Sequence, residues 1–215
     1  MTEITPIPKP LLQRYRVWKE SKFPDRAAEL SRLAREGQAP DFMMISCSDS
    51  RVQPTDIFGA EAGDMFVHRN IANFVPPLTQ SGDAHGTSAA VEYGVRALKV
   101  RHLVVLGHAQ CGGVQGCHDM CQSGQIGAAL DLPLVGQWLE LMRPAHDVLV
   151  AQGKPFDADE LSRRSVVQSL QNLLCFPFVA DAVAAGSLQV HGAWFDFGTG
   201  VLLVYQPDSD SFEPA

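Results

Sequence analysis

The chain has 215 residues, 46% of them apolar, which suffices for one large domain with a substantial core and excludes a generally disordered polypeptide. A net charge of -7 without any block of Lys or Arg argues against a nucleic-acid surface. No stretch approaches the roughly 20 apolar residues of a membrane helix, and the N-terminal residues, with Glu3, Pro6, Pro8 and Pro10, lack the apolar run of a signal peptide. The expectation is a cytoplasmic protein with no membrane partner.

In chain order, the first apolar pattern lies in residues 11–36, where Leu11, Leu12, Tyr15 and Trp18 and then Ala27, Leu30, Leu33 and Ala34 recur at helical spacing. Pro24 divides this stretch into two helices, and Gly37 stops the second. The Tyr15 and Trp18 stripe needs a cover, from its own domain or from a partner subunit. These residues form an N-terminal helical arm, 1–37, ahead of a single α/β domain, 38–215. That domain opens on Met43-Met44-Ile45-Ser46-Cys47, an apolar run with the character of a buried strand. Pro54 to Phe58 reads as a short helix, Ala62-Gly63-Asp64 as a turn, and Met65-Phe66-Val67 as a strand ending at His68-Arg69-Asn70. Residues 76–87 read as a loop and Ser88 to Lys99 as a helix, followed by the buried strand Leu103 to Leu106. Strand, helix and strand in that order make a βαβ unit, so the sheet is parallel and covered by helices. Helices are then expected from Gly112 to Cys121, over 134–151 with Pro144 as the weak point, from Asp159 to Cys175 and from Val179 to Ala185. Strands over 188–195 and 200–205 close the pattern, with Asp196-Phe197-Gly198-Thr199 as the hairpin turn. The tail from Asp208 has no apolar periodicity and reads as surface, or as a segment wrapping a neighbour.

Five cysteines, at 47, 111, 117, 121 and 175, are an odd number, which favours reduced thiols over a disulfide framework and makes metal binding the useful question. Cys47, Asp49 and Arg51 stand at alternate positions where the first buried strand ends. His108, Cys111, Gly112 and Gly113 follow the end of the second. Two thiolates and one imidazole meet the ligand count of a catalytic zinc site, which keeps its fourth position open. The thiolates cancel the metal's charge, so an arginine nearby is chemically reasonable. A rival set is Cys111, Cys117, His118 and Cys121, in which Cys117 and Cys121 share a helix face and could hold a structural zinc. The bland alternative makes Cys47 and Cys111 inert core thiols and His108 a capping residue. Gly107 and Gly112-Gly113 would let backbone approach the metal region and leave room for a small substrate. His68 is near enough in the expected topology to relay a proton, and Cys175 reads as packing or a neutral surface thiol.

Cys47-x-Asp49-x-Arg51 followed by His108-x2-Cys111-Gly112-Gly113 resembles the β-class carbonic anhydrases, and so do Phe66 to Asn73, Gly86 to Tyr93 and the late His191-Gly192 before the terminal hairpin. The likeness covers nearly the whole chain. It implies a mostly parallel four-stranded sheet with an additional edge strand, and N-terminal helices reaching across a homodimer that can pair into a tetramer. It also implies one Zn(2+) per subunit, held by Cys47, His108 and Cys111, with Asp49 and Arg51 paired beside it. Gln38, Phe66, Ile71 and Tyr93 match positions that line a narrow substrate cleft shared between subunits in the plant-like subgroup. There Gln38 would donate to a substrate oxygen while Phe66, Ile71 and Tyr93 bound the apolar part. The second subgroup builds an extra bicarbonate site around a tryptophan near the first motif. This chain has no tryptophan between Trp18 and Trp138, so it fits the plant-like, non-allosteric pattern.

The implied activity is reversible hydration of carbon dioxide to bicarbonate and a proton by hydroxide generated on zinc. Asp49, held by a fork-like pair with Arg51, would accept the hydroxide's hydrogen bond and orient its lone pair; in a closed state it would instead become the fourth zinc ligand. Three alternatives stay open at this level: a carbonyl sulfide or carbon disulfide hydrolase using the same metal ligands, a non-catalytic structural zinc protein, and a metal-free thiol enzyme. Intact Asp49, Arg51 and Gln38 favour catalysis, because purely structural zinc requires none of them.

Overall fold

Two long apolar runs, Met43 to Cys47 and Leu103 to Gly107, are buried along almost their whole length, as expected of strands covered on both faces of a parallel sheet. The structure is a computed structural model and describes residues 4–78, 86–124, 131–153 and 155–215. It falls into two compact units, Met1–Gln38 and Ala39–Ala215.

The first unit is a pair of helices, α1 (Lys9–Ser21) and α2 (Phe23–Glu36). Pro24 lies in the first turn of α2, where its missing N–H costs no hydrogen bond, so the break falls just ahead of it at Lys22. Trp18 packs its ring 5.6 Å from Phe23 and 6.3 Å from Tyr15. No residue of either helix is buried, and Leu11, Tyr15 and Val17 are all more than half exposed.

The second unit is built on β1 (Phe42–Cys47), β2 (Met65–Asn70), β3 (His102–His108), β4 (Gln189–Asp196), β5 (Val201–Gln206) and β6 (Ser211–Pro214), in the spatial order β2-β1-β3-β4-β5-β6. The first four strands in that order are parallel and the last two antiparallel. Helices fill the connections: α3 (Pro54–Ile57), α4 (Gly86–Glu92, continued as a π-helical turn over Tyr93–Leu98), α5 (Gly112–Ser123), α6 (Pro133–Glu140), α7 (Arg143–Ala151), α8 (Ala158–Leu174) and α9 (Pro177–Ala184). On one face Met43, Ile45, Leu103 and Val105 pack with Val166, Leu170 and Leu173 of α8 and with Val91 and Val179. The alternate residues Met44, Leu106 and Ala193 pack on the other face with Val52, Ile57, Phe195, Phe197 and Leu202. This period of two is what a strand requires. A third cluster, of Cys111, Val114, Cys117, Met120, Leu139, Met142 and Leu161, fastens α5 to α6, α7 and α8.

The parallel sheet with its antiparallel edge is the architecture expected from the sequence, with differences at particular elements. The expected helix over 134–151 is two helices, and Pro144 stands in the first turn of α7, so the break comes before it, at 141–142. The acidic tail is not featureless: β6 pairs with β5, setting Phe212 opposite Tyr205. The helix expected from Ser88 starts at Gly86 and changes to π geometry at Tyr93. Most of the loop read over 76–87 lies outside the described residues. Among those described, no single helix is long and apolar enough to cross a membrane.

Candidate metal centre

β1 and β3 are neighbours in the sheet and run the same way, so their carboxyl ends open at one edge, where ligands bind in open α/β sheets. Cys47 is the last residue of β1 and His108 the last of β3. Beyond His108 the chain turns through Gln110, which adopts a left-handed backbone (φ 52°), and Cys111 comes back before α5 begins. That conformation costs a non-glycine residue about 1 kcal/mol or more and needs support from its surroundings. The Gln110 N–H donates to Asp159 in the first turn of α8 (2.8 Å), and the Ala109 N–H to the Phe195 carbonyl (3.0 Å). Ser162 of α8 donates to the His108 carbonyl (3.0 Å) and accepts from the Trp194 indole (3.1 Å). Asp157 caps the same helix through the N–H groups of Asp159 and Glu160. Gly107 lets α8 come this close: a Cβ there would stand 2.8 Å from Val166 Cγ2 and 3.1 Å from Trp194.

The result is one cluster. The ligand atoms of Cys47, His108 and Cys111 all lie within 4.8 Å of one another, and all three residues are buried. The sulfurs are 4.0 Å apart. Tetrahedral zinc with Zn–S bonds of about 2.3 Å would hold them about 3.8 Å apart. His108 Nδ1 bonds the Ala109 carbonyl at 2.8 Å, which makes Nδ1 the protonated nitrogen and leaves a lone pair on Nε2. That Nε2 is buried without a partner. A buried acceptor with nothing to accept from is costly unless a ligand completes it, so donor set, spacing and tautomer all fit a zinc ion. The Cys47 thiolate, accepting the Cys111 S–H, is held well below the ordinary thiol range, while Cys111, donating to that thiolate and buried beside it, is pushed up.

Asp49 stands two residues past β1 and outside this trio. Both of its oxygens face Arg51: Oδ1 accepts from Nε (2.9 Å) and from the Arg51 backbone N–H (2.9 Å), and Oδ2 accepts from an Nη (2.7 Å). The guanidinium beside it holds the carboxyl well below the usual carboxylate range, against the opposing effect of desolvation. The loop carrying this pair is tied down by Arg69, which donates to the carbonyls of Cys47 (2.8 Å), Asp49 (2.7 Å) and Val52 (2.8 Å) and to Gln53 (3.0 Å). Sequence reasoning did not single out Arg69, although a cation inside a strand beside the buried β1 is a visible signal.

The other residues named from sequence are spread more widely. Phe66 and Tyr93 form an aromatic pair 5.7 Å apart, with Tyr93 about half exposed. Phe66 is opposite Met43, whereas Cys47 is opposite Asn70, so the pair stands four residues, or about 13 Å, back along the strands from Cys47. Ile71 follows β2 directly and is 42% exposed. A Cβ on Gly113 would stand 3.0 Å from Ile71 Cγ2, while one on Gly112 would meet open space. Thus Gly107 and Gly113 serve close packing of helix on strand and turn, and only Gly112 faces room for a ligand. Gln38 ends the first unit and is exposed there. His68 bonds the Thr87 hydroxyl at 3.0 Å, and burial lowers its pKa. The rival set does not assemble among the described residues: Cys117 is core, and His118 stacks on Phe156 and bonds His146 instead.

The carbonic anhydrase family model matches residues 42–202, three quarters of the chain and both ligand segments. The chain belongs to the β-carbonic anhydrase family. It is 35% identical over 189 residues to the chloroplastic β carbonic anhydrase 5 of Arabidopsis thaliana, a match covering 86% of this chain and 60% of that protein, so the chain spans about three fifths of that relative's length. Among solved β-carbonic anhydrases, CcaA superposes with a TM-score of 0.87 at 27% identity, covering 96% of this chain and 91% of its own. A tetrameric β-carbonic anhydrase of Sordaria macrospora gives 0.76 at 31% identity, covering 90% and 94%. The Coccomyxa enzyme in complex with acetazolamide gives 0.75 at 28%, covering 92% and 86%. The plant-like pattern read from the sequence is compatible with these relatives.

Proposed function

We propose that this protein is a zinc-dependent carbonic anhydrase that converts carbon dioxide and water to bicarbonate and a proton, reversibly, with one zinc held by Cys47, His108 and Cys111 in each subunit. The observation that carries the proposal is the unpartnered Nε2 of His108, buried with two sulfurs 4.0 Å apart and with the Asp49–Arg51 pair next along the chain. Zinc, when bound, supplies a Lewis acid that lowers the pKa of water from 15.7 toward about 7, although two thiolate ligands make it a weaker acid than three imidazoles would.

The chain's own residues supply the rest. Arg51 keeps Asp49 ionised, so the carboxylate can only accept hydrogen bonds. Accepting one from the attacking hydroxide turns the oxygen lone pair toward the electrophilic carbon. Both oxygens of Asp49 are engaged by Arg51, which matches the open arrangement rather than the one in which Asp49 is a fourth ligand. Carbon dioxide has little to bind, so its site needs shape more than charge. Gly112 leaves space and Ile71 stands against the neighbouring Gly113, while Gln38 is assigned by the family resemblance alone as the donor to a substrate oxygen. Phe66 and Tyr93, about 13 Å back from Cys47 along the strands, fit the walls of a partner's cleft better than those of their own. This supports a homodimer with shared clefts. The tetramer named for the Sordaria macrospora relative is the next state to look for.

The test is stopped-flow carbon dioxide hydration on zinc-quantified protein beside Cys47→Ser, with carbonyl sulfide and carbon disulfide run in parallel. Joint loss of zinc and hydration in the variant is expected. Full activity in zinc-free protein, or turnover of the sulfur compounds alone, would eliminate the proposal.

A further inference from the structure

The hairpin between β4 and β5 reaches the metal centre with one side chain. Phe197 lies under the Arg51 guanidinium, with Cζ 4.3 Å from the ring centroid, and its ring is 6.2 Å from that of His108. The turn that presents it is locked by its own hydrogen bonds. Asp196 accepts from the Gly198 N–H (2.8 Å) and the Thr199 hydroxyl (2.7 Å), and its carbonyl accepts from the Gly200 N–H (2.7 Å). Phe197 also packs against the cluster of Met44, Leu106 and Ala193, so the ring is anchored in the sheet.

Arg51 needs such a platform. Its side chain is 46% exposed, and among the described residues its one hydrogen bond beyond Asp49 is to the Gln110 carbonyl, at a long 3.3 Å. The Arg51 backbone N–H ties Oδ1 of Asp49 to the main chain, but the guanidinium sits at the end of a long, exposed side chain, so the pair alone leaves the plane of its fork free to tilt. An aromatic face attracts a guanidinium and aligns it by stacking.

We infer that Phe197 is a positioning residue, setting the plane of Arg51 and through it the orientation of the Asp49 carboxylate. This rests on the reading that Asp49 orients the attacking hydroxide. Phe197→Leu keeps an apolar side chain against Leu106 and removes the π face, and Phe197→Met does the same should the first variant fail to fold. Phe197→Tyr keeps the face. In the zinc-loaded protein the Leu or Met variant is expected to lose between about twofold and thirtyfold in kcat, the range of a cation–π contact. KM should stay within about twofold, because Asp49 acts on the attack and not on substrate binding. The Tyr variant should stay within about twofold of the parent in kcat. Crystal structures of parent and Leu variant give a second readout independent of turnover, in which Arg51 leaves its stacked plane and the two-pronged bond to Asp49 opens. Unchanged kcat in the Leu and Met variants, a Tyr variant as slow as Leu, or an unmoved Asp49–Arg51 pair would each overturn the assignment. If the parent itself shows no hydration, the proposed activity fails, and the crystal comparison still decides what Phe197 does.

Discussion

Replacing Arg69 with Met should loosen the loop that carries the catalytic pair while sparing every residue assigned to metal or substrate. Arg69 donates to three main-chain carbonyls, of Cys47, Asp49 and Val52, at 2.7 to 2.8 Å, and to the Gln53 side chain at 3.0 Å. Hydrogen bonds from a charged donor contribute about 1.5–3 kcal/mol each. The bonds are only partly buried, so water can replace some of them, and the low end applies: about 3–5 kcal/mol in all. Against a total stability of about 5–15 kcal/mol the variant should still fold. In a chain of this size each kcal/mol moves Tm by about 2–4 °C, which gives a fall of roughly 6–20 °C by calorimetry on zinc-loaded protein. The carbonyl of Cys47 is one of the three, so zinc should also be lost faster to a chelator. A fall of less than about 3 °C together with unchanged zinc retention would refute the reasoning, because the loop would then be held by something other than Arg69.

Two further outcomes follow from packing and charge. Gly107→Ala places a methyl 2.8 Å from Val166 Cγ2 and 3.1 Å from Trp194, so it should cost about 1–3 kcal/mol and loosen α8 from His108, seen as a lower Tm and faster zinc release. His68 and His191 are half-buried, and burial lowers both pKa values from an ordinary value near 6.5. The unfolded chain therefore takes up protons at these positions first, so their stability contribution is complete above about pH 6.5 and declines as pH falls toward the lowered folded values. A His68→Gln, His191→Gln double variant should show a flatter fall of Tm between pH 7.5 and 5.5 than the parent, and an equally steep one would assign acid sensitivity elsewhere.

The parts of this protein legible in its sequence are those in which one segment carries its own signal. β1 and β3 read as buried strands because both faces are covered, and Cys47, Asp49 and Arg51 announce themselves by interrupting an apolar run with chemistry. The trio with His108 and Cys111 was legible as a donor set and through the family resemblance, while its closure needed β1 and β3 to be neighbours in register. β6 was not legible: Ser211, Phe212, Glu213 and Pro214 have little strand character, and they are extended because β5 offers an open edge. Phe197 reads locally as a turn residue, since nothing in its own segment says that its ring lies under Arg51. Arg69 does not stand out in the sequence, because its role depends on three carbonyls from another part of the chain. Phe66 and Tyr93 stand out in the sequence only as cleft positions implied by the family resemblance; their contact with each other and their distance from Cys47 along the sheet come from the folded packing and the strand register.

Zinc-edge X-ray absorption on the protein as purified tests the central claim most directly. The expected spectrum has two sulfur scatterers at about 2.3 Å and nitrogen or oxygen scatterers at about 2.0–2.1 Å, of which one is imidazole, in a four-coordinate site. Cys47→Ser should hold too little zinc to give this spectrum, whereas Cys121→Ser should reproduce it unchanged. A shell of four sulfurs, a sulfur-free shell, or purified protein that is fully active yet holds no zinc would contradict the account.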